Sequence, residues 1–344
     1  MSVERTYSPL APLQEYYEAI EPEFSFRAES PDEWQRWREG FRTKLGEILG
    51  GFPSGKCALE PEVLEVTDKG NYVREKVVFQ SEPKVSVPAY FLIPKQISTP
   101  APAILALHGH GRGKDDCAGI AETPEDVEGI RSLNYNAYGE GMAERGYITL
   151  IPDQCCFGER MEEQHRQEKR GSSCRQVSFF YQLLGKTVIG QRVWDGMRAI
   201  DYLQTRPEVN PERIACMGLS GGATAALYLA ALEERVKVVV ASGYLSTFRD
   251  SILAMDHCEC NYIPGILKHG KMADMASLIA PRALLIESGT EDSIFPIQAT
   301  ELAFERLKRA YDLLGVPERL DKDIFEGGHK FSGRKAYDWI NQWV

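Results

Sequence analysis

Six short, mostly apolar runs dominate the second two-thirds of the chain: AILALHG, YITLIPD, RIACMGLS, VKVVVASG, RALLIESG and LDKDIFEGG. A strand with one face in water alternates apolar and polar residues, whereas most of these runs do not alternate. Such strands need cover on both faces, which a parallel sheet between two layers of helices supplies. The segments between them agree. VIGQRVWDGMRAIDYLQTR and ATAALYLAALEER repeat apolar residues at helical spacing. The expected class is therefore α/β, with a mostly parallel central sheet and helices on both sides.

Upstream the pattern differs. EVLEVT, YVREKVVFQ and VSVPAYFLIP, from residue 62 onward, read as successive antiparallel strands joined by short turns. Before them, PDEWQRWREGFRTKLGEILGG has Ser30 as a predicted N-cap and Pro31 at the first helical position, and it ends in a double glycine. Trp34, Trp37, Phe41, Leu45 and Ile48 line one face of that helix. Two units result: a helical extension over residues 1–60 and a main domain over 61–344. Three connections, roughly 111–140, 154–185 and 244–275, are too long for simple helices and are expected to act as lids or binding loops.

The glycine-flanked serine in GLSGG, residues 218–222, stands where RIACMG ends and an alanine-rich helix begins. This is the G-x-S-x-G grammar of a nucleophile elbow, in which a tight strand-to-helix turn presents a serine hydroxyl. The pattern alone is weak, since roughly 0.1 matches arise by chance in a chain of this size at average composition. The strand before and the helix after raise its weight. A serine hydroxyl needs a base, and the base an orienting acid. The elbow's usual chain order is serine, acid, histidine. Of the three histidines after Ser220, His329 lies in FEGGHKF just past the last strand, whereas His257 and His269 lie inside a long insertion. The best acid is Asp292 in ESGTEDSIFP, with Glu291 and Glu287 as runners-up. Oxyanion donors are assigned to the backbone N–H of Gly221 and of His110, the latter in LHGHGRG. His108 is read as a loop-orienting residue.

Together LHGHG, PDQCCFGER, GLSGG, GTEDSIFP and EGGHKF resemble the α/β-hydrolase superfamily, and within it the dienelactone-hydrolase-like and acetyl-xylan-esterase-like bacterial esterases. The resemblance covers roughly residues 70–344. It implies Ser220 as nucleophile, His329 as base and Asp292 as orienter. Dienelactone hydrolases proper carry a cysteine nucleophile, so the serine here favours an ordinary carboxylesterase. The resemblance points to short acyl or acetyl esters, with no cofactor. Candidate pocket walls are Asp153 to Arg160, Tyr244 to Phe248 and the insertion MDHCECNYIPGILKHG (residues 255–270), with Asp153, Phe157, Tyr244 and Tyr262 as the named pocket residues. Rival readings are a compact prolyl-oligopeptidase-like peptidase, a lactone hydrolase, and a non-catalytic binding protein on the same fold.

The remaining features narrow partners and place. A net charge of −10 and a pI near 5.3 argue against a nucleic-acid surface. No stretch approaches about 18 uninterrupted apolar residues, so no membrane span is expected. The start, MSVERTYSPLAPLQEYYEAI, lacks a basic segment followed by an apolar one, and a cytoplasmic location is expected. The expected partner is a small-molecule ester, with the N-terminal helices as a surface for homo-oligomer formation. Eight cysteines, at 57, 117, 155, 156, 174, 216, 258 and 260, show no disulfide-framework spacing and are expected as free thiols. The cluster His257-Cys258-Glu259-Cys260 suggests a metal, but a structural zinc site usually has a regular second pair, and the spacing supplies none. No metal is expected. GGFPSGKC, residues 50–57, mimics a phosphate loop but has Cys57 where Ser or Thr is required, and it follows a helix.

Overall fold

The structure, a computed structural model, describes residues 7–128, 130 and 137–344. Part of the 111–140 connection therefore lies outside the described residues. Among the described residues nine strands form one sheet: β1 (Glu62–Asp68), β2 (Tyr72–Glu82), β3 (Val85–Pro94), β4 (Ala101–Leu107), β5 (Ile148–Pro152), β6 (Val209–Leu219), β7 (Val236–Ser242), β8 (Ala283–Gly289) and β9 (Leu320–Phe325). Their order is β1-β2-β3-β5-β4-β6-β7-β8-β9. The first three strands pair antiparallel and β3 meets β5 antiparallel, whereas β5 through β9 are mutually parallel. This is the α/β architecture expected from the apolar runs.

Burial explains why those runs do not alternate. Every residue of β5 and β8 is buried, because helices cover both faces. On one face Val188–Thr205 and Gly221–Leu232 pack into the larger core with Val193, Ile200 and Leu227. On the other, Tyr138, Met142, Trp339 and Ile340, from helices Tyr138–Glu144 and Ala336–Trp343, join Ile104, Met217 and Val240. The helix Pro31–Ile48 is capped by Ser30, whose Oγ accepts from the Glu33 N–H at 3.3 Å. It buries Trp34, Phe41 and Leu45 in the larger core, so the helical extension packs onto the main body there.

The parallel register also positions chemistry. Leu107 pairs with Gly218, Leu219 with Ser242, Ser242 with Glu287, and Gly289 with Phe325. The carboxyl ends of β4, β6, β7, β8 and β9 therefore share one rim. From β4 the chain goes to β5 on one side and β6 lies on the other. That reversal opens a crevice where ligands of open α/β sheets bind.

Candidate active site

Ser220 sits at the tip between β6 and the helix Gly221–Leu232, with φ 57° and ψ −120°. A non-glycine residue there carries about 1–3 kcal/mol of strain, so its surroundings must hold it. They do so in two ways. Its N–H donates to Ser242 O on β7 at 2.8 Å, and its carbonyl accepts from the Thr224 N–H at 2.9 Å. The flanking glycines leave no space for larger residues. A Cβ on Gly222 would lie 1.9 Å from Leu107 O, and one on Gly218 would lie 2.4 Å from the Gly222 carbonyl carbon. The elbow is packed directly against the end of β4.

His329 and Asp292 come from neighbouring loops after β9 and β8. Backbone bonds join those loops: Thr290 N–H to Phe325 O at 2.9 Å and Glu291 N–H to Gly327 O at 2.8 Å. Gly289 allows the approach, since a Cβ there would meet Gly327 O at 2.3 Å. The Asp292 carboxylate is buried. Its Oδ1 accepts from the N–H groups of Ile294 (2.8 Å) and Phe295 (3.0 Å), and Oδ2 lies 2.7 Å from His329 Nδ1. An Nδ1–H donated to that carboxylate leaves the lone pair of the neutral ring on Nε2. Phe295 stacks on the imidazole with centroids 5.7 Å apart.

A cavity of about 290 Å³ brings Ser220 and His329 together with Gly109 and His110 of the loop after β4. Of the runner-up acids, Glu291 is exposed. Glu287 is fully buried and accepts from the Gly333 N–H at 3.1 Å; burial first, with Asp323 nearby, pushes its carboxyl up to about 7.

His108 occupies the loop-orienting position expected for it. Its Nδ1 donates to Gly109 O at 2.7 Å and its Nε2 accepts from the Gln154 N–H at 2.9 Å. Burial lowers its pKa to about 4, which keeps the ring neutral and Nε2 an acceptor.

None of the four candidate pocket residues lines this cavity. Asp153 is fully buried as a clasp, accepting from Lys114 N–H (2.8 Å), Lys114 Nζ (2.9 Å) and Glu159 N–H (3.0 Å). Gly113 and Gly158 press against it so closely that a Cβ on either would fall within 2.3 Å of Oδ1. Phe157 is buried with its ring set edge-on against those of His108 and His110. Tyr244 is core, packed on Phe295. Tyr262 lines a separate apolar cavity of about 480 Å³ between the lid and the helix Leu10–Ala19. The walls of the Ser220 cavity come instead from Met255, Asp256, His257, Cys258 and Ile294. His257, set aside as a base because it lies in an insertion, faces the Ser220 cavity, as do Met255, Asp256 and Cys258 of the same insertion, which the sequence offered as a pocket wall. His269 is remote, paired with Glu23 at 2.9 Å.

The same insertion brings together a thiol corner. His110, Cys174, Cys258 and Cys260 converge so that one ligand atom of each lies within 4.8 Å of all the others. His110 and Cys174 reach this corner from segments remote in sequence, which spacing cannot reveal.

A profile of the Abhydrolase family matches residues 2–332. The chain belongs to the Abhydrolase family. The curated relatives include YtaP of Bacillus subtilis (strain 168), named provisionally as a hydrolase; it is 29% identical over 279 residues, which span 78% of this chain and 86% of that protein. Among solved structures, a Bacteroides fragilis NCTC 9343 protein provisionally named an acetyl xylan esterase superposes with a TM-score of 0.80. It is 23% identical, covering 95% of this abhydrolase and 84% of the other chain. A glucuronoyl esterase from Solibacter usitatus gives a TM-score of 0.67 at 16% identity, covering 94% and 98%. An acetyl xylan esterase from Paenibacillus sp. R4 gives 0.59 at 19%, covering 98% and 100%. At these identities the likeness establishes the α/β-hydrolase fold. Among the described residues, no helix of this abhydrolase is long and apolar enough to cross a membrane.

Proposed function

We propose that this protein is a serine esterase that hydrolyses small carboxylic esters through an acyl-enzyme. One observation carries the reading: a strained Ser220 shares a cavity with His329, whose other nitrogen is held by the buried Asp292. The family and the esterase names of its structural neighbours agree with it.

In this reading Ser220 Oγ attacks the ester carbonyl while His329 Nε2 takes its proton. Asp292 keeps the imidazole in the correct tautomer and stabilises its protonated form. The developing oxyanion is held by the N–H groups of Gly221, at a helix N-terminus, and His110. The imidazolium then protonates the leaving alkoxide, and water deprotonated by the same ring releases the acid. No step needs a cofactor.

The cavity volume is near the lower end for small-molecule sites, about 300–1,000 Å³, which favours a short acyl group. Met255 and Ile294 supply apolar wall, and His257 and Asp256 supply polar groups toward which a hydroxyl-bearing alcohol would turn. The test is fluorophosphonate labelling followed by peptide mapping, together with turnover of acetyl and octanoyl esters. A single adduct on Ser220 and faster acetyl turnover are expected. Ser220→Ala should lower kcat by ~10⁴–10⁶-fold, and esterase activity surviving that change would overturn the proposal.

A further inference from the structure

We propose that His110, Cys174, Cys258 and Cys260 form a structural zinc site that fastens the lid and the 154–185 insertion to the loop supplying the His110 N–H. The ligand atoms already sit within 4.8 Å of one another, with His110 Nε2 3.8 Å from Cys260 Sγ. Four sulfur and nitrogen ligands around zinc, with Zn–S near 2.3 Å, would stand about 3.8 Å apart. The corner therefore needs only a small contraction to close.

The surroundings fit thiolates better than a pocket of neutral thiols. Asn261 Nδ2 donates to Cys260 Sγ at 3.5 Å and Arg192 Nη2 to Cys174 Sγ at 3.5 Å. A neutral thiol is a weak acceptor, whereas metal-bound thiolates are routinely steadied by such N–H donors. The burial of Arg192 adds to this. The residue is 3% exposed; its Nη2 also donates to the Cys155 carbonyl at 3.1 Å, and its Nε and Nη1 have no hydrogen-bond partner among the described residues. A buried charge needs a counter-charge. Three thiolates, one neutral imidazole and Zn²⁺ sum to −1, which Arg192 balances.

Ligand chemistry selects the metal. A sulfur-rich set with one imidazole suits zinc, and four protein ligands leave no open position, so the ion would be structural rather than a Lewis acid for substrate. Binding displaces the three thiol protons to solvent. The consequence is mechanical. His110 and Cys258 also line the Ser220 cavity, and Cys174 opens the helix Cys174–Leu183. One ion would thus brace three segments that lack a common sheet. The site does not depend on the esterase reading.

The full chain, purified under reducing conditions from zinc-supplemented cells, should carry one zinc per chain by mass spectrometry of metals. After chelator stripping, titration with Co²⁺ alone should produce thiolate-to-cobalt charge-transfer bands and the strong visible bands of a tetrahedral site, saturating at one equivalent. Cys174→Ser and Cys258→Ser should each lower the zinc content at least tenfold, while Cys216→Ser, on β6, retains it. Three results overturn the proposal: wild-type protein without zinc that gives no cobalt bands, full zinc occupancy in the Cys174→Ser/Cys258→Ser double variant, or an intact mass showing these cysteines as a disulfide whose reduced form takes up no cobalt. The wild-type cobalt titration decides the matter even if a variant fails to fold. Fluorophosphonate labelling of Ser220 reads the esterase site separately.

Discussion

The elbow and the thiol corner abut the same cavity yet are built on opposite principles. Ser220, Asp292 and His329 each stand at the end of a strand whose neighbours fix its height in the sheet, so each position follows from local grammar plus parallel register. His110, Cys174, Cys258 and Cys260 come from three connections with no shared ladder. Their meeting depends on how long loops fold over the rim. A sheet aligns distant residues by repetition; loops align them only through contacts specific to this chain. The elbow half is therefore stiff by construction, whereas the corner calls for a fastening of its own.

The comparison can be broken first at its chemical centre. Asp292→Asn keeps the shape of the acid but turns its hydrogen-bonding toward the wrong imidazole tautomer, and kcat should fall by about 10⁴-fold with little change in KM. Steady-state kinetics on a short-chain ester would measure it; a loss below tenfold would mean that Glu287 or another group orients His329.

Next in size is packing. Gly222→Ala places a methyl 1.9 Å from Leu107 O, a backbone atom that cannot move without disturbing β4. A destabilisation of about 4 kcal/mol or more is expected, seen as a lowered denaturation midpoint or loss of soluble protein. Gly265, in the lid, has open space where a Cβ would go, though its φ of 80° still disfavours a side chain; Gly265→Ala should cost only about 1 kcal/mol. Equal costs at the two glycines would erase the distinction between a rigid elbow and a tolerant lid.

A pH-dependent effect bears on the choice between two carboxylates, Asp292 and its runner-up Glu287. Burial raises Glu287 from the ordinary 4.5 to about 7. Between those values the folded state holds a proton that the unfolded state has released, so stability falls as pH rises through that window and levels off above it. Glu287→Gln removes this titration. Its stability should match the wild type near pH 4 and exceed it above pH 7 by up to roughly 3 kcal/mol, read from denaturant unfolding at several pH values. Parallel pH curves for the two proteins would show that Glu287 carries no such shift.

Much of this is legible in the sequence alone. The six apolar runs became β4 through β9, and the alternating segments became β1 to β3. The chain order of serine, acid and base led to the three residues that the rim assembles. Pocket walls were legible only as segments: the insertion over residues 255–270 does line the cavity, but the individual residues singled out do not. Asp153 and Phe157 follow β5 and looked like rim residues, but they are consumed in holding Lys114 and the His108–His110 loop. Met255 and His257, in the insertion named as a candidate wall, and Ile294, in a loop that was not, line the cavity, and neither sequence carries a periodicity that would single them out. The gathering of the cysteines was hidden for a related reason: spacing tests compare residues close in sequence, whereas His110 and Cys260, which meet in the corner, are 150 residues apart.

By itself the sequence determined the sheet, the elbow and the order of the reacting groups, because these rest on period, glycine geometry and strand ends, all properties of short segments. Only the tertiary structure decided that Asp292 rather than Glu287 reaches His329, which residues of the insertion wall the cavity, and that four scattered residues share one corner. Those outcomes depend on how loops without internal repetition settle on a finished sheet, where contact energies between distant residues, rather than local propensity, choose the conformation.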